Sequence, residues 1–199
     1  MRKKIGIMGG SFDPIHYGHL SAASQAAFSL GLDKVVFVPT NFSLGKLPEA
    51  PAEDRCAMAA MAVAGDPRFE VSRADVERGG PTFAFDTVSD VSSLFRPCEI
   101  FFITGMDALA GLEKWKNWQA LLSMAKFVGV ERPGSPSRLP KYLEGKAIFL
   151  PSTPLQISST GIRRRVKKGE PIDYLVPPSV RRFILSKGLY GEGFVHRVN

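Results

Sequence analysis

The chain has 199 residues, 44% of them hydrophobic, and its 26 Lys and Arg against 19 Asp and Glu give a net charge of +7. This length and apolar content fill the core of one ordinary domain and exclude a disordered chain, while the basic excess points to anionic partners without choosing between nucleotide and nucleic acid. Cys56 and Cys98 stand far apart with no CxxC spacing, and no apolar run reaches bilayer length, so a zinc site, a disulfide framework, export and a membrane partner are all unexpected and a cytoplasmic setting is expected.

In chain order, the apolar run 5–8 predicts a strand that meets Gly9 and Gly10, and 17–32, with Leu20, Ala23, Ala27 and Leu30 at helical spacing, predicts a helix. A second strand follows at 35–38, completing a βαβ unit. The segment 39–52 carries three prolines, Gly45 and Asn41 and reads as a surface loop, with a helix at 54–64 and another at 85–95. Strands are predicted at 100–104, 127–130 and 147–150, separated by a second Pro-rich loop at 133–140, and either loop can close over a ligand. The alternation implies an α/β fold with a doubly wound, mainly parallel sheet. From Ser159 onward Arg163, Arg164, Arg165, Lys167, Lys168, Arg181 and Arg182 concentrate the basic excess. The expected organisation is a main domain over 1–158, a small helical C-terminal subdomain over 159–190, and a flexible tail over 191–199.

The loop Gly9-Gly10-Ser11-Phe12-Asp13-Pro14-Ile15-His16-Tyr17-Gly18-His19 falls at the C-terminal end of the first strand, where doubly wound sheets bind ligands. Its glycines admit close backbone approach, and the following helix aims its N-terminal N–H groups at whatever sits there, a geometry suited to phosphate. With Tyr17 opening the helix, His16 at the cap and His19 one turn on can face one oxyanion. A plain turn followed by a histidine-capped helix is the bland alternative, but two of the chain's three histidines fall in this loop. Neither GxxxxGK[ST], GxGxxG nor GxSxG is present, which disfavours a P-loop kinase, a dehydrogenase and a serine hydrolase.

These residues fill the GxFxPxHxGH pattern, and Ile157-Ser158-Ser159-Thr160-Gly161-Ile162-Arg163 fills ISSTxIR, so the chain resembles the nicotinate mononucleotide adenylyltransferases of the HxGH nucleotidyltransferase superfamily. Arg78-Gly79-Gly80-Pro81-Thr82, Gly105-Met106-Asp107, Trp115 and the closing Gly188-Leu189-Tyr190 extend the resemblance over nearly the whole chain. It implies a Rossmann-like fold and adenylyl transfer from ATP to nicotinate mononucleotide in NAD biosynthesis.

The resemblance also implies roles. His16, His19 and Arg163 are the catalytic candidates. Gly9, Gly10, Ser11, Phe12, His19, Gly105, Asp107, Ile157, Ser159, Thr160 and Arg163 are assigned to ATP, with the hydroxyls and N–H groups of Ser159 and Thr160 on its β- and γ-phosphates and the Asp107 carboxylate on its ribose. The mononucleotide is assigned His16, Lys46, Thr82, Phe83, Trp115 and Lys116, with Trp115 stacking on the pyridine ring and backbone N–H groups near Thr82 and Lys116 receiving the carboxylate. Two departures stand out: Leu44-Gly45-Lys46 keeps the lysine of the family's Pro-His-Lys element without its histidine, and Phe83 replaces a frequent tyrosine. Asp13 and Asp86 do not complete a protein-built metal site, so Mg²⁺ is expected to arrive on the ATP phosphates. Nucleic acid is not an expected partner, a homo-oligomer is allowed, and the competing readings are a nicotinamide mononucleotide or phosphopantetheine adenylyltransferase, a basic nucleic-acid-binding module and an inert scaffold.

Overall fold

The computed structural model describes residues 2–45, 47–131, 138, 140–151 and 155–191. The anticipated tail, apart from Gly191, most of the 133–140 loop and Lys46 therefore lie outside the described residues. Six strands, β1 (Lys3–Gly10), β2 (Lys34–Pro39), β3 (Phe69–Val71), β4 (Cys98–Gly105), β5 (Lys126–Val130) and β6 (Ala147–Leu150), form one sheet in the order β3-β2-β1-β4-β5-β6. Every pairing is parallel. The chain winds outward from β1 in one direction and then from β4 in the other, so the switch point lies between the C-terminal ends of β1 and β4.

The strands read as continuous apolar runs because both faces are covered. Val35, Phe37, Phe101 and Ile103 join one buried cluster, whereas Ile5, Ile7, Val36, Val38, Ile100 and Phe102 join another. On the first face pack α1 (Tyr17–Leu30), α2 (Ala52–Val63), α7 (Ser159–Lys167) and α8 (Pro178–Ser186), contributing residues such as Ala23, Met58, Ile162 and Ile184. On the second lie α4 (Ala84–Leu94), the single turn α5 (Met106–Leu109) and α6 (Trp118–Met124), with Val88, Leu109 and Leu121 buried. A further short helix, α3 (Ala74–Arg78), bridges β3 and α4. The C-terminal residues Ile172, Val180, Leu189 and Tyr190 belong to the same cluster as β2 and α1, so 159–190 shares the core of the preceding residues.

Helix α1 stops two residues short of the predicted end because Gly31 takes a left-handed cap at φ 60°, its N–H and that of Leu32 closing back on Phe28 and Ala27 at 3.3 and 2.9 Å. Strand β3 escaped the sequence reading: three residues with Glu70 at the centre make no apolar run, and its place at the sheet edge comes from pairing with Val35–Phe37. Among the described residues no helix is long and apolar enough to cross a membrane.

Candidate active site

Two adjoining cavities open at the switch point. The first, of about 400 Å³, is lined by Gly9, Gly10, Ser11, His16, His19, Gly105, Ile157, Ser158, Ser159, Thr160 and Arg163 together with Thr104 and Ala108. The second, of about 520 Å³, is lined by Thr82, Phe83, Trp115, Lys116 and Lys114, by Thr40, Ser43, Leu44 and Pro48 of the β2–α2 loop, and again by Gly9, Gly10, Ser11 and Thr104. The shared residues are the ends of β1 and β4, so a group at their boundary faces both spaces.

The phosphate-like character of the first cavity follows from its helix termini. His16 is the N-cap of α1 and Ser158 the N-cap of α7, its Oγ accepting from the Gly161 N–H at 3.1 Å. Both helices therefore turn their positive ends to the same space. The two starts are tied together by the Ser159 hydroxyl, which donates to the Pro14 carbonyl at 2.9 Å. That bond uses the Ser159 proton expected on a phosphate, leaving its backbone N–H and the exposed Thr160 hydroxyl to serve ligand.

The imidazoles are stacked, with ring centroids 3.8 Å apart and 27° between planes. His19 Nδ1 accepts from the His16 backbone N–H at 3.3 Å, so the proton of its neutral ring resides on Nε2, which is thereby a donor for an oxyanion. Glycine at position 18 gives the His16 ring room, since a Cβ there would sit 3.0 Å from it, tighter than ordinary contact. Phe12 was expected to touch ATP but is absent from the lining; its ring is buried beneath His19 in an edge contact at 5.1 Å, and its backbone carries φ 46°, a conformation held by the surrounding packing. Asp107 is exposed in the first turn of α5 and is likewise not among the lining residues.

In the second cavity Trp115 presents its ring between supports: Phe102 and Phe127 meet it edge-on at centroid distances of 5.8 and 6.2 Å. Trp118, three residues on, packs against Tyr142 at 5.7 Å. The Lys116 ammonium lies over the Phe83 ring, 4.4 Å from its centroid, at the N-cap of α4. The Thr82 N–H is committed to the Phe42 carbonyl at 2.8 Å and its Oγ1 accepts from the Asn41 N–H at 3.0 Å, so Thr82 binds the β2–α2 loop rather than offering its amide to a carboxylate.

Beneath both cavities runs a buried polar network absent from the sequence reading. Arg55 of α2, 1% exposed, donates to the carbonyls of Ala50, Ser11, Thr40 and Asn41 at 2.6–3.1 Å. Burial pulls its pKa below the ordinary arginine value, and the charges of Asp13, Cys56 and Tyr190 act in the other direction. Asp13 accepts from the Glu49 and Ala50 N–H groups at 2.7 and 3.0 Å and from the Tyr190 hydroxyl at 2.8 Å. Burial and the neighbouring Asp13 charge push the Tyr190 phenol far above its usual range, keeping it a donor. Arg163 donates through Nε to Glu49 at 2.7 Å and through Nη1 to the Asp13 carbonyl at 2.9 Å. Its helix neighbours diverge: Lys167 joins Arg163 on Glu49, while Arg165 turns to Glu170. Among the described residues no cluster of three or more His, Cys, Asp or Glu could hold a metal.

A doubly wound parallel sheet with the HxGH loop and the ISSTxIR helix start converging at its switch point defines a nucleotidyltransferase of the Rossmann-like class. The cytidylyltransferase-like family model matches residues 7–165. The chain is 45% identical to a protein of Saccharopolyspora erythraea, over 95% of this chain and 90% of the other, and 46% identical to one of Acidothermus cellulolyticus, over 95% of each; both bear the name "Probable nicotinate-nucleotide adenylyltransferase". In fold it is similar to Plasmodium falciparum nicotinic acid mononucleotide adenylyltransferase complexed with NaAD, with TM-score 0.80 at 20% identity over 95% of this chain and 98% of that one. The chain belongs to the nicotinate-nucleotide adenylyltransferase family, nucleotidyltransferases of NAD biosynthesis.

Proposed function

We propose that the enzyme joins ATP and nicotinate mononucleotide into nicotinate adenine dinucleotide and pyrophosphate by direct attack, without a covalent enzyme intermediate. The observation that carries this reading is the pair of cavities meeting at Gly9, Gly10, Ser11 and Thr104, one built of phosphate donors and the other around an indole. ATP phosphates occupy the first. The pyridine ring lies against Trp115 in the second, and the acceptor 5′-phosphate reaches the boundary, where one of its oxygens bonds to the α-phosphorus as the α–β bridging bond breaks.

A phosphate monoester is already a nucleophile at neutral pH, so the protein's task is to align two anions and neutralise the transferring and leaving oxygens. His16, His19, the N-terminus of α7, Thr160 and Arg163 supply those donors. Asp13 has both carboxylate oxygens engaged by amides and a phenol, and the remaining donors suit phosphate oxygens, so this donor set fits Mg²⁺ held by ATP rather than by the protein. Mg²⁺ bound to ATP supplies charge neutralisation on the phosphates. In the second cavity the positive end of α4 with the Lys114 and Lys116 ammonium groups favours a carboxylate over a carboxamide on the ring. Lys46, outside the described residues, belongs to the loop that lines the same cavity.

Trp115→Ala tests the acceptor seat. Losing a stacked base platform worth about 1–3 kcal/mol raises the nicotinate mononucleotide KM about tenfold or more. The ATP KM stays within about twofold, and equal rises in both steady-state constants would contradict the assignment.

A further inference from the structure

The β2–α2 loop touches both cavities by different means. Ser43, Leu44 and Pro48 line the acceptor cavity, and the next residue, Glu49, reaches across to α7. Its Oε1 accepts from Arg163 Nε at 2.7 Å and its Oε2 from Lys167 Nζ at 2.9 Å. The Glu49 backbone N–H donates to Asp13 Oδ2 at 2.7 Å, and Arg163 Nη1 closes the ring on the Asp13 carbonyl at 2.9 Å. Arg163 is thus fixed along two edges by acceptors separated from it by 114 and 150 residues in sequence. Among the described residues its Nη2 makes no hydrogen bond and its side chain, 15% exposed, lines the phosphate cavity.

A carboxylate beside a phosphate-binding guanidinium opposes anion binding through its charge, so an electrostatic contribution to ATP affinity is not its use. Burial works against the charged form of Glu49, but hydrogen bonds from Lys167 and Arg163 prevail and hold its carboxyl below the usual range. What the ion pair gains is orientation: a long, freely rotating side chain is set before ligand arrives, and its setting depends on where the loop lies. We propose that Glu49 is a positioning residue that couples acceptor binding to the ATP-phosphate grip, the loop that lines the acceptor cavity placing Arg163 through Glu49. The inference rests on the adenylyltransferase reading. By reciprocity, each nucleotide tightens the other's binding by the same factor.

The test is the Kd of α,β-methylene-ATP, which cannot be transferred, measured by calorimetry with and without saturating nicotinate mononucleotide. Wild-type protein shows a tightening of about fivefold or more, in the usual range for coupled sites. Glu49→Gln, isosteric at a side chain 32% exposed, keeps its Tm within about 2 °C and loses the tightening. Lys167→Met leaves the Arg163 link in place and keeps it. Adding Glu49→Gln to Arg163→Ala weakens analogue binding no further than Arg163→Ala alone. Glu49→Gln that retains the tightening, or wild type that binds both nucleotides without it, overturns the coupling. Wild type that binds neither nucleotide overturns the adenylyltransferase reading itself.

Discussion

Replacing His19 by alanine is expected to lower kcat by about 10²–10³-fold, the effect of removing one preorganised donor to a developing oxyanion. The ring is unusually well fixed for a half-buried side chain. Its Nδ1 is turned to the His16 N–H, one face is stacked on His16, and its edge rests on Phe12. In the proposed mechanism Nε2 is the donor for phosphate, held in a position that water cannot reproduce without reorganising. The ring's contacts contribute little to the core, because His19 is half-buried and stands outside the hydrophobic cluster that holds Phe12, Ile15 and Ala23. Stopped-time turnover assays should therefore show the loss while the thermal midpoint moves by only a few degrees. Near-normal turnover would return the pair to a helix cap.

The second large effect is on stability. Arg55→Met removes a buried cation that satisfies four carbonyls from two loops, and it leaves Asp13 with less positive charge nearby. Methionine fills most of the volume but donates nothing, so the loss is expected at about 3–5 kcal/mol, the magnitude for one member of a buried charged network. For a chain of this size that corresponds to roughly 6–20 °C in Tm, at about 2–4 °C per kcal/mol. Urea unfolding should move in midpoint with little change in slope. A loss below about 1 kcal/mol would mean that water replaces the guanidinium, and that the loops lining the two cavities are not held from below.

The strands of this sheet were legible because runs such as Val35-Val36-Phe37-Val38 bury alternate residues in two cores, and the ligand end followed from where the glycines stood. Elements shorter than two turns were not. Helices α3 and α5 and strand β3 have too few residues for a periodicity, and tertiary contacts define them. The site divided in the same manner. His16, His19 and Thr160, singled out by the two signatures, gather in one cavity. Groups near the site also serve the scaffold: the Ser159 hydroxyl bonds Pro14, the Phe12 ring lies in the core, and the Thr82 amide bonds Phe42. Arg55 and Glu49 carried no local signal at all, since a charged residue on a helix or in a Pro-rich loop ordinarily faces water. Their partners lie up to 118 residues away, from Glu49 to Lys167, and only the closed fold shows what they hold.

The most direct measurement is pyrophosphate release from ATP and Mg²⁺ with nicotinate mononucleotide, nicotinamide mononucleotide or phosphopantetheine offered singly, beside a His16→Ala/His19→Ala double variant. Fast release with nicotinate mononucleotide, slower release with the carboxamide, none with phosphopantetheine, and loss of activity in the double variant is the expected pattern. Preference for another acceptor would contradict the assigned substrate, and release undiminished in the double variant would contradict the site.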